Sequence, residues 1–482
     1  MAAPLPPHHV APVQPNDNND QGTFGALGDG VRNWIIQRFT RAWAFVTPPN
    51  TSMIVSGPRT YAQGTWLPAP QSHDAIPVAT GNSGIVHVWV CVDRNNRILD
   101  RVVVKQTVPG IASYNDPNNW VNLQVGGEPM ESLIANAIAG ELWSNNHGDE
   151  KFVAECLGWG DCQYQPPDLP QYKLYYEYLF GNLPECIESQ WRTSKLVRRP
   201  GRQRRTRVVQ EQEPFPEGFL WALFEALAKV AVAMDGQGIV HGDMQSGNIF
   251  FGQPDPNHFA IWPVPKLGDF GSARTLNHPG GQLDRYFMGP YAETFAAPEM
   301  DYNRQTQQYT VQFFNHWDPN LPPSAPGARP GGYVQRPAVL SSKTNIWQIG
   351  LLMLCAIRLE PELLETQWRV QPPNYPMPLH QAMGFRPLMA SQPMKMRLDD
   401  PKSRRYSRQL LTLVKKCLVF DPDARISPQQ LLQEVQAKMI GRDDGMMTAR
   451  GRFPHNHPLK LRMSLTDKYK VGKKPYKRRK VA

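Results

Sequence analysis

The fold is decided by a short stretch in the middle of the chain, Ile239-Val-His241-Gly-Asp243-Met-Gln-Ser-Gly-Asn248-Ile-Phe-Phe251. It follows a segment over residues 219–234 whose apolar side chains recur at helical spacing, and it runs into an apolar strand pattern. An aspartate and an asparagine on one loop, Asp243 and Asn248, suit general-base positioning combined with a magnesium ligand. The stretch therefore predicts a catalytic loop between a core helix and a strand.

Three further clusters carry related chemistry elsewhere in the chain. The glycines of Ala79-Thr-Gly81-Asn-Ser-Gly84-Ile-Val86 can let backbone N–H groups approach phosphate oxygens, and a plain turn before a strand explains them equally well. Lys105 ends a hydrophobic strand, where its ammonium can lie over a phosphate or reach solvent at a sheet edge. Asp269, followed by Phe270 and Gly271, can give a carboxylate to Mg²⁺. The order of the clusters favours a phosphate-transfer site over unrelated turns.

Together with three later patterns, these clusters resemble the eukaryotic protein kinase family over about residues 78–437. The motifs are H-x-D-x-x-x-x-N at His241, Asp243 and Asn248, D-F-G at Asp269-Phe270-Gly271, A-P-E at Ala297-Pro298-Glu299, the buried-helix pattern Asn345-Ile-Trp347-Gln-Ile-Gly350, and Asp421-Pro-Asp-Ala-Arg425. The resemblance implies an α+β, bilobal protein-kinase-like fold with a small antiparallel β lobe, a larger helical lobe, and disordered tails and insertions. The long insertions and the His-Gly-Asp form are similar to kinase-like proteins of filamentous fungi.

The resemblance also implies a reaction, in which an ATP-dependent protein kinase transfers the γ-phosphoryl group to a Ser or Thr hydroxyl of a protein. Asp243 would orient the acceptor hydroxyl and accept its proton, while Asn248 and Asp269 would hold Mg²⁺. Arg425 would pair with Glu299 as a structural ion pair. The catalytic set implied in this way is Asp243, Lys105 and Asn248.

ATP binding is the second role that the resemblance assigns. The residues implied for it are Gly81, Gly84 and Val86 of the glycine loop, Lys105, a glutamate that holds this lysine, and the backbone of Glu177 and Leu179 at the adenine edge. Lys105 would contact the α- and β-phosphates. We expect Glu141 to hold Lys105, because the predicted helix over about 129–145 ends soon after it, and Glu131 is the alternative.

Departures from the kinase pattern leave other functions open. Gly242 stands where many kinases have an arginine before the catalytic aspartate, and its presence predicts that phosphorylation of the activation segment is not the switch. Gln245 stands where Ser/Thr kinases carry a lysine that neutralises the γ-phosphate, and Asn345 replaces an aspartate. Gln245, Gly242 and Ala79 motivate a catalytically impaired, kinase-like ATP-binding scaffold as the alternative function. A small-molecule kinase is a third reading, although enzymes of that type lack the A-P-E and Arg425 elements.

The pattern of the chain predicts six regions. They are a disordered tail over 1–30, an amphipathic helix over 31–46, a linker over 47–75, an N-terminal lobe over 76–178, a C-terminal lobe over 179–440 with insertions near 190–214 and 301–340, and a basic tail over 441–482. The helix over 31–46 either lies against the body of this protein or docks on a membrane surface or partner.

Secondary structure follows from the same hydrophobic periodicity. Strands are predicted at 84–91 and 98–105, joined by a turn at 93–97 into a hairpin, and at 152–157 and 172–179. Helices are predicted over about 129–145, 219–234, 345–358, 404–418 and 427–440.

The net charge of +10 on 482 residues is concentrated in two segments. Residues 192–207 hold eight positive and no negative side chains, and residues 460–480 hold ten positive and one negative, so the rest of the chain carries a net charge of −7. The first run predicts a mobile loop beside the cleft, or a site for an acidic partner or nucleic acid. The C-terminal run resembles a nuclear localisation signal, which implies an import receptor as a partner; a solvated tail is the alternative.

The remaining composition narrows the compartment. The six cysteines include no C-x-x-C pair and complete no zinc pattern, which favours a reduced, intracellular protein. The N-terminal residues lack the pattern of a signal peptide, and no apolar run approaches the ~18 residues of a membrane span. The expected location is intracellular, with the nucleus favoured and the cytoplasm as the alternative.

Overall fold

A computed structural model describes most of the central part of this chain. The described residues are 64–69, 79–81, 84–163, 170–197, 207–257, 261–276, 295–300, 302–303, 308–309, 313–318, 332–336, 340–361, 403–419, 422–439 and 467–474. The tail predicted over 1–30 and the amphipathic helix predicted over 31–46 lie outside them.

An antiparallel sheet of six strands dominates the N-terminal half. Its strands are β1 (Thr65–Pro68), β2 (Ala79–Gly81), β3 (Gly84–Val92), β4 (Ile98–Thr107), β5 (Cys156–Gln163) and β6 (Gln171–Glu177). The order is β1-β3-β4-β6-β5, with β2 paired to β3. The predicted hairpin is confirmed as β3 and β4. β1 lies inside the segment over 47–75 that was expected to be a linker. The strand expected at 152–157 begins only at Cys156, because a 3₁₀ turn over Asp149–Phe152 precedes it, so its predicted start is wrong.

Local chemistry explains the hairpin of β3 and β4. Both strands are rich in β-branched residues, which pack well on a pleated surface. The turn between them is closed by Asp93, whose Oδ1 accepts from the N–H groups of Asn95 and Arg97 at 2.8 and 2.7 Å. Gly84 begins β3 so close to β4 that a Cβ there would lie 2.3 Å from the Gln106 carbonyl oxygen. The hairpin therefore requires glycine at this position.

Seven α-helices are described. They are α1 (Ile111–Tyr114), α2 (Met130–Asn145), α3 (Leu183–Glu188), α4 (Glu217–Gly236), α5 (Ser342–Arg358), α6 (Arg408–Cys417) and α7 (Pro428–Met439). The five predicted helices correspond to α2, α4, α5, α6 and α7. A capping box starts α5, since the Ser341 hydroxyl accepts from the backbone and the Thr344 hydroxyl accepts from the Ser341 N–H at 3.2 Å.

Short strand pairs complete the described elements. They are β7 (Gly181–Asn182), β11 (Ile249–Phe251) and β12 (Pro265–Leu267) in one sheet, β8 (Trp191–Val197) with β9 (Arg207–Gln212), β10 (Ile239–Val240) with β13 (Arg274–Thr275), β14 (Tyr302–Asn303) with β15 (Gln308–Tyr309), and β16 (Phe313–Asp318) with β17 (Gly332–Arg336). The basic run over 192–207, for which a mobile loop or a site for an acidic partner or nucleic acid was expected, begins within β8 and ends at Arg207, the first residue of β9, with which β8 pairs.

One large apolar core joins α2 to the helices of the C-terminal half. Its centre is α4 and α5, whose residues are buried on nearly every side, as the hydrophobic pattern of α5 predicts. Two smaller apolar clusters lie on the sheet, one around Trp89 and Tyr175 and one around Val88 and Tyr469. The last of these residues, Tyr469, comes from the segment over 441–482 that was predicted to be a basic tail. Residues 467–474 pack on the sheet.

The described chain is thus a mixed α+β structure with an antiparallel sheet and several helices. No helix in its described part is long and apolar enough to cross a membrane. The described cysteine side chains Cys91, Cys156, Cys186, Cys355 and Cys417 are buried, and none of them forms a disulfide bond.

Candidate functional site

A cavity of about 360 Å³ lies between the sheet and the loops that follow α4. Of the residues predicted for the site, seven line it: Gly84, Val86, Lys105, Glu177, Leu179, Asn248 and Asp269. Gly81 ends β2 opposite Gly84 and is not among the lining residues that the structure describes. Asp243 sits next to the cavity, hydrogen-bonded to Asn248. Residues that lie far apart in the sequence are therefore brought to one cleft.

Lys105 is the centre of a charged cluster at the back of this cavity. Its Nζ lies 2.8 and 3.0 Å from the two carboxylate oxygens of Glu131, and 2.6 Å from Oδ1 of Asp269. The hydroxyl of Tyr176 donates to Glu131 Oε1 at 2.7 Å. Glu131 is nearly fully buried, whereas 40% of the Asp269 side chain is exposed. The cluster thus has a closed side on α2 and an open side at Asp269.

The glutamate expected to hold Lys105 is the wrong one. Glu141 lies near the C-terminal end of α2, where its carboxylate accepts from Gln237 at 2.7 Å and from Asn145 at 3.4 Å. Glu131, the alternative, makes the contact because it stands in the first turn of α2 and points to the sheet. A separation of ten positions amounts to about 15 Å along the helix, so both cannot reach one lysine.

The charges of the cluster act on one another's protonation. Burial raises the pKa of Glu131 above its ordinary value, although Lys105 opposes the rise. Burial acts in the same direction on Asp269, but the ammonium of Lys105 outweighs it and holds the pKa of Asp269 below its ordinary value. Burial alone would lower the pKa of Lys105, and the carboxylates of Asp269 and Glu131 raise it well above its ordinary value instead. Lys105 therefore remains a cation at neutral pH.

The loop that contains Asp243 is held from several sides. Asn248 donates from Nδ2 to the Asp243 carbonyl at 2.8 Å, which directs the amide nitrogen into the loop. Gln245 donates from Nε2 to Asp243 Oδ2 at 2.9 Å. Gly242 has a φ of +79°, and its carbonyl accepts from Gln348 at 3.3 Å. The loop thus presents the Asp243 carboxylate in a fixed position.

Beneath the loop, a buried hydrogen-bond layer connects it to α5. Asn345 accepts from the His241 N–H at 3.0 Å and donates to the Ile239 carbonyl at 2.9 Å. The ring of His241 packs on Phe270 with centroids 5.0 Å apart, and its Nε2 lies 3.3 Å from the Gly268 carbonyl. Burial lowers the pKa of His241 to about 4. The imidazole is therefore neutral and serves as part of the framework.

The predicted pair of Glu299 and Arg425 is confirmed as a contact. Two hydrogen bonds of 2.7 and 3.1 Å join the guanidinium to the carboxylate, and both side chains are fully buried. Thr344 donates to Glu299 at 3.0 Å, and Arg425 also donates to the carbonyls of Lys343 and Val419 at 2.6 and 2.9 Å. The polar groups of this pair are satisfied within the protein.

Sequence reasoning missed part of the cavity wall. The missed residues include Val88, Val103, Ala154, Phe250, Lys468 and Tyr469. Val88 and Val103 could have been found, because they share a sheet face with Val86 and Lys105 at a spacing of two. No sequence signal places Lys468 and Tyr469 there, since they come from the far end of the chain.

The donor atoms at the cavity are those that a hard divalent cation prefers, a carboxylate on Asp269 and an amide oxygen on Asn248. The described residues contain no group of three or more His, Cys, Asp and Glu side chains arranged to hold a metal ion.

No protein-family model matches this chain, and no curated protein matches it either.

Proposed function

We propose that this chain is an ATP-dependent protein kinase with a bilobal kinase-like fold, which transfers the γ-phosphoryl group to a Ser or Thr hydroxyl. The observation that carries the proposal is the contact of Lys105 with Glu131 and Asp269 at the back of a cavity that the Asp243 loop adjoins. A cation held by one buried carboxylate and one exposed carboxylate suits the binding of a polyphosphate together with a metal ion.

The apolar part of the cavity suits a purine base. Val86, Val88 and Val103 line it from the sheet, and Phe250 lines it from β11. At the edge between them, Leu179 belongs to no strand, and among the described residues its backbone N–H meets no acceptor. A flat base bound between these side chains would accept a hydrogen bond from the Leu179 N–H. This position agrees with the adenine edge expected at Glu177 and Leu179.

The phosphates would then extend toward Lys105. Its ammonium would bind the α- and β-phosphate oxygens, while Asp269 and the side-chain oxygen of Asn248 would hold Mg²⁺. The ion would supply charge neutralisation for the transferred phosphoryl group. Glu131 would hold the lysine from the buried side, while Asp269, whose Oδ1 contacts the lysine, would offer the exposed part of its carboxylate to the metal.

Asp243 would orient the acceptor hydroxyl and take its proton. The carboxylate is half-buried, and its Oδ2 accepts from Gln245. This amide replaces the cation that the kinase pattern has at position 245, so it orients Asp243 without neutralising the γ-phosphate. Transfer should consequently be slower than in a kinase with lysine there.

The same contact favours a second candidate function, an ATP-binding scaffold without transfer. Gln245 supplies no positive charge, and its hydrogen bond occupies one oxygen of the would-be base. A scaffold of this kind would bind ATP in the cavity through Lys105 and would leave the phosphates intact.

A phosphate-transfer assay separates the two functions. The full chain is incubated with γ-labelled ATP, Mg²⁺ and a generic protein substrate, and compared with Asp243→Asn and with the exposed control Asp423→Asn. We expect transfer by the wild type, a loss of about a hundredfold or more in Asp243→Asn, and no change in the control. Equal transfer by Asp243→Asn would overturn the kinase proposal, and ATP binding without transfer under any metal would favour the scaffold.

A further inference from the structure

Residues 467–474, which we call the C-terminal strap, run along the open edge of the cavity. The strap lies on β4 and on Tyr178, the residue between Glu177 and Leu179. The sequence assigns it to the basic tail over 441–482, yet the side chain of Tyr469 is only 4% exposed. The resemblance to protein kinases, which covers about residues 78–437, assigns no role to this segment.

Two kinds of polar contact attach the strap to the sheet. The Ile98 N–H donates to the Lys473 carbonyl at 2.9 Å, and the Gly472 N–H donates back to the Ile98 carbonyl at 2.8 Å. Gly472 has a φ of +79°, which an L side chain rarely adopts. The Arg101 guanidinium donates to the Asp467 carboxylate, and also to the Tyr469 carbonyl at 2.7 Å. The strap therefore adds its backbone to the edge of the β3–β4 hairpin.

Tyr469 is the apolar anchor of the strap. It packs in one cluster with Val88, Val90 and Ala69 of the sheet. Its ring meets the ring of Tyr178 edge to face, with centroids 5.3 Å apart and planes at 76°. Arg101 completes this contact, since its guanidinium lies over the Tyr178 ring at 4.8 Å from the centroid. Tyr469 thus fixes the side chain that flanks the adenine edge.

The strap also forms part of the cavity itself. Lys468 and Tyr469 line it, together with Tyr178 and Leu179. Val88 takes part in both environments, because it lines the cavity and packs against Tyr469. A ligand in the cavity and the strap on its edge therefore share walls, and each would stabilise the position of the other.

We propose that the C-terminal strap is a cis-acting affinity element of the nucleotide site, with Tyr469 as the residue through which it acts. The inference rests on the proposed function, because it takes the occupant of the cavity to be ATP. If the strap only stabilised the sheet, a substitution in it would change the stability of the protein. A strap that sets affinity changes ATP binding in a protein that remains folded, and by linkage ATP must tighten the strap in return.

The test is a calorimetric titration of the full chain with ATP and Mg²⁺. Tyr469→Ala removes the anchor, Tyr469→Phe keeps the ring, and Lys470→Ala is the control, because Lys470 is exposed in the same strap and does not line the cavity. We expect Tyr469→Ala to raise the Kd for ATP by about fivefold or more, and the other two variants to stay within about twofold of the wild type. Asp467→Asn, outside the cavity, weakens the attachment and should raise the Kd by a smaller factor.

A second readout protects the test against a variant that fails to fold. Hydrogen exchange of the wild-type strap is measured with and without ATP, and we expect the amides of residues 467–474 to exchange more slowly when ATP is bound. If the wild type binds ATP but neither the Tyr469→Ala affinity nor the strap exchange changes, the strap proposal is overturned and the proposed function stands. If the wild type binds no ATP, the proposed function fails, and the affinity role of the strap fails with it.

Discussion

Two ion clusters in this chain are built from similar groups and have opposite surroundings. Glu299 and Arg425 are both fully buried, and every strong hydrogen bond they make is to the protein. Lys105 and Glu131 are also buried, but their third member, Asp269, leaves 40% of its side chain exposed at a cavity. The first cluster is closed, and the second has one side open to a ligand.

The difference separates an ion pair that holds the structure from one that can exchange partners. A closed pair has no alternative contacts, so that losing either member leaves a buried charge without compensation. In the open cluster, a phosphate or a metal ion can replace a protein contact of Lys105 or Asp269. Motif patterns place both clusters in the same kinase-like set, and only their surroundings tell the two roles apart.

The largest expected effect is on the closed pair. Arg425→Ala should lower the free energy of unfolding by about 3–5 kcal/mol, because it leaves the Glu299 carboxylate buried without a counter-charge. Urea unfolding of the variant and the wild type measures the change. Lys416→Ala is the matched control, since it removes a cation from the exposed pair with Glu434 and should cost at most about 1 kcal/mol. A loss for Arg425→Ala as small as that of the control would contradict the comparison.

The open cluster should lose function more than stability. Glu131→Gln keeps an oxygen for Tyr176 and Lys105 but removes the charge, and we expect kcat/KM for phosphate transfer to fall by about a hundredfold. The free energy of unfolding should change by less than about 2 kcal/mol.

Glu141→Gln is the matched control for that substitution, because it lies on the same helix outside the cavity. Its transfer kinetics should equal those of the wild type. If Glu141→Gln loses activity and Glu131→Gln does not, the assignment of the lysine partner is wrong.

Acid should lower the stability of the protein through the buried hydrogen-bond layer beneath the Asp243 loop, which contains His241. In the unfolded chain His241 has its ordinary pKa of about 6.5, whereas in the folded protein burial lowers this pKa to about 4. Its contribution to stability is therefore complete above pH 6.5 and is lost as the pH falls toward 4. Removing it in His241→Gln should reduce the pH slope of the unfolding free energy by about 1.4 kcal/mol per pH unit in that range.

Urea midpoints between pH 7 and pH 4.5 measure this slope, with the exposed His147→Gln as the control. His87, whose pKa burial also lowers to about 4, should contribute in the same direction. If the pH slope of the unfolding free energy is the same in His241→Gln as in the wild type, protonation of the His241 ring does not destabilise the folded protein.

The smallest expected effect concerns Asn345, which belongs to α5 like Thr344 of the closed cluster. Asn345→Asp restores the residue of the kinase pattern, but it replaces the donor to the Ile239 carbonyl by an acceptor. We expect a loss of about 1 kcal/mol in the free energy of unfolding rather than a gain. A more stable variant in thermal melting would mean that the amide is a weak substitute, as the sequence pattern alone indicates.

The sequence predicted much of this arrangement, and its errors have physical causes. The helices α2, α4, α5, α6 and α7 and the hairpin of β3 and β4 follow from periodicity, because each buries one face or is buried all round. The choice between Glu131 and Glu141 could also have been made in this way. The buried residues Ile134, Ala135, Ile138 and Leu142 of α2 share the helix face of Glu131, and Glu141 lies about 80° away from it.

Local pattern by itself determined which residues are candidates for the site, because glycines, carboxylates and a lysine occur at spacings that short loops and strand ends impose. Tertiary structure alone decided that Asp269 is open while Glu299 is closed, since burial depends on what the rest of the chain packs around a side chain. It also decided that residues 467–474 border the cavity. The Arg101–Asp467 contact spans 366 residues, and no periodicity extends over such a separation.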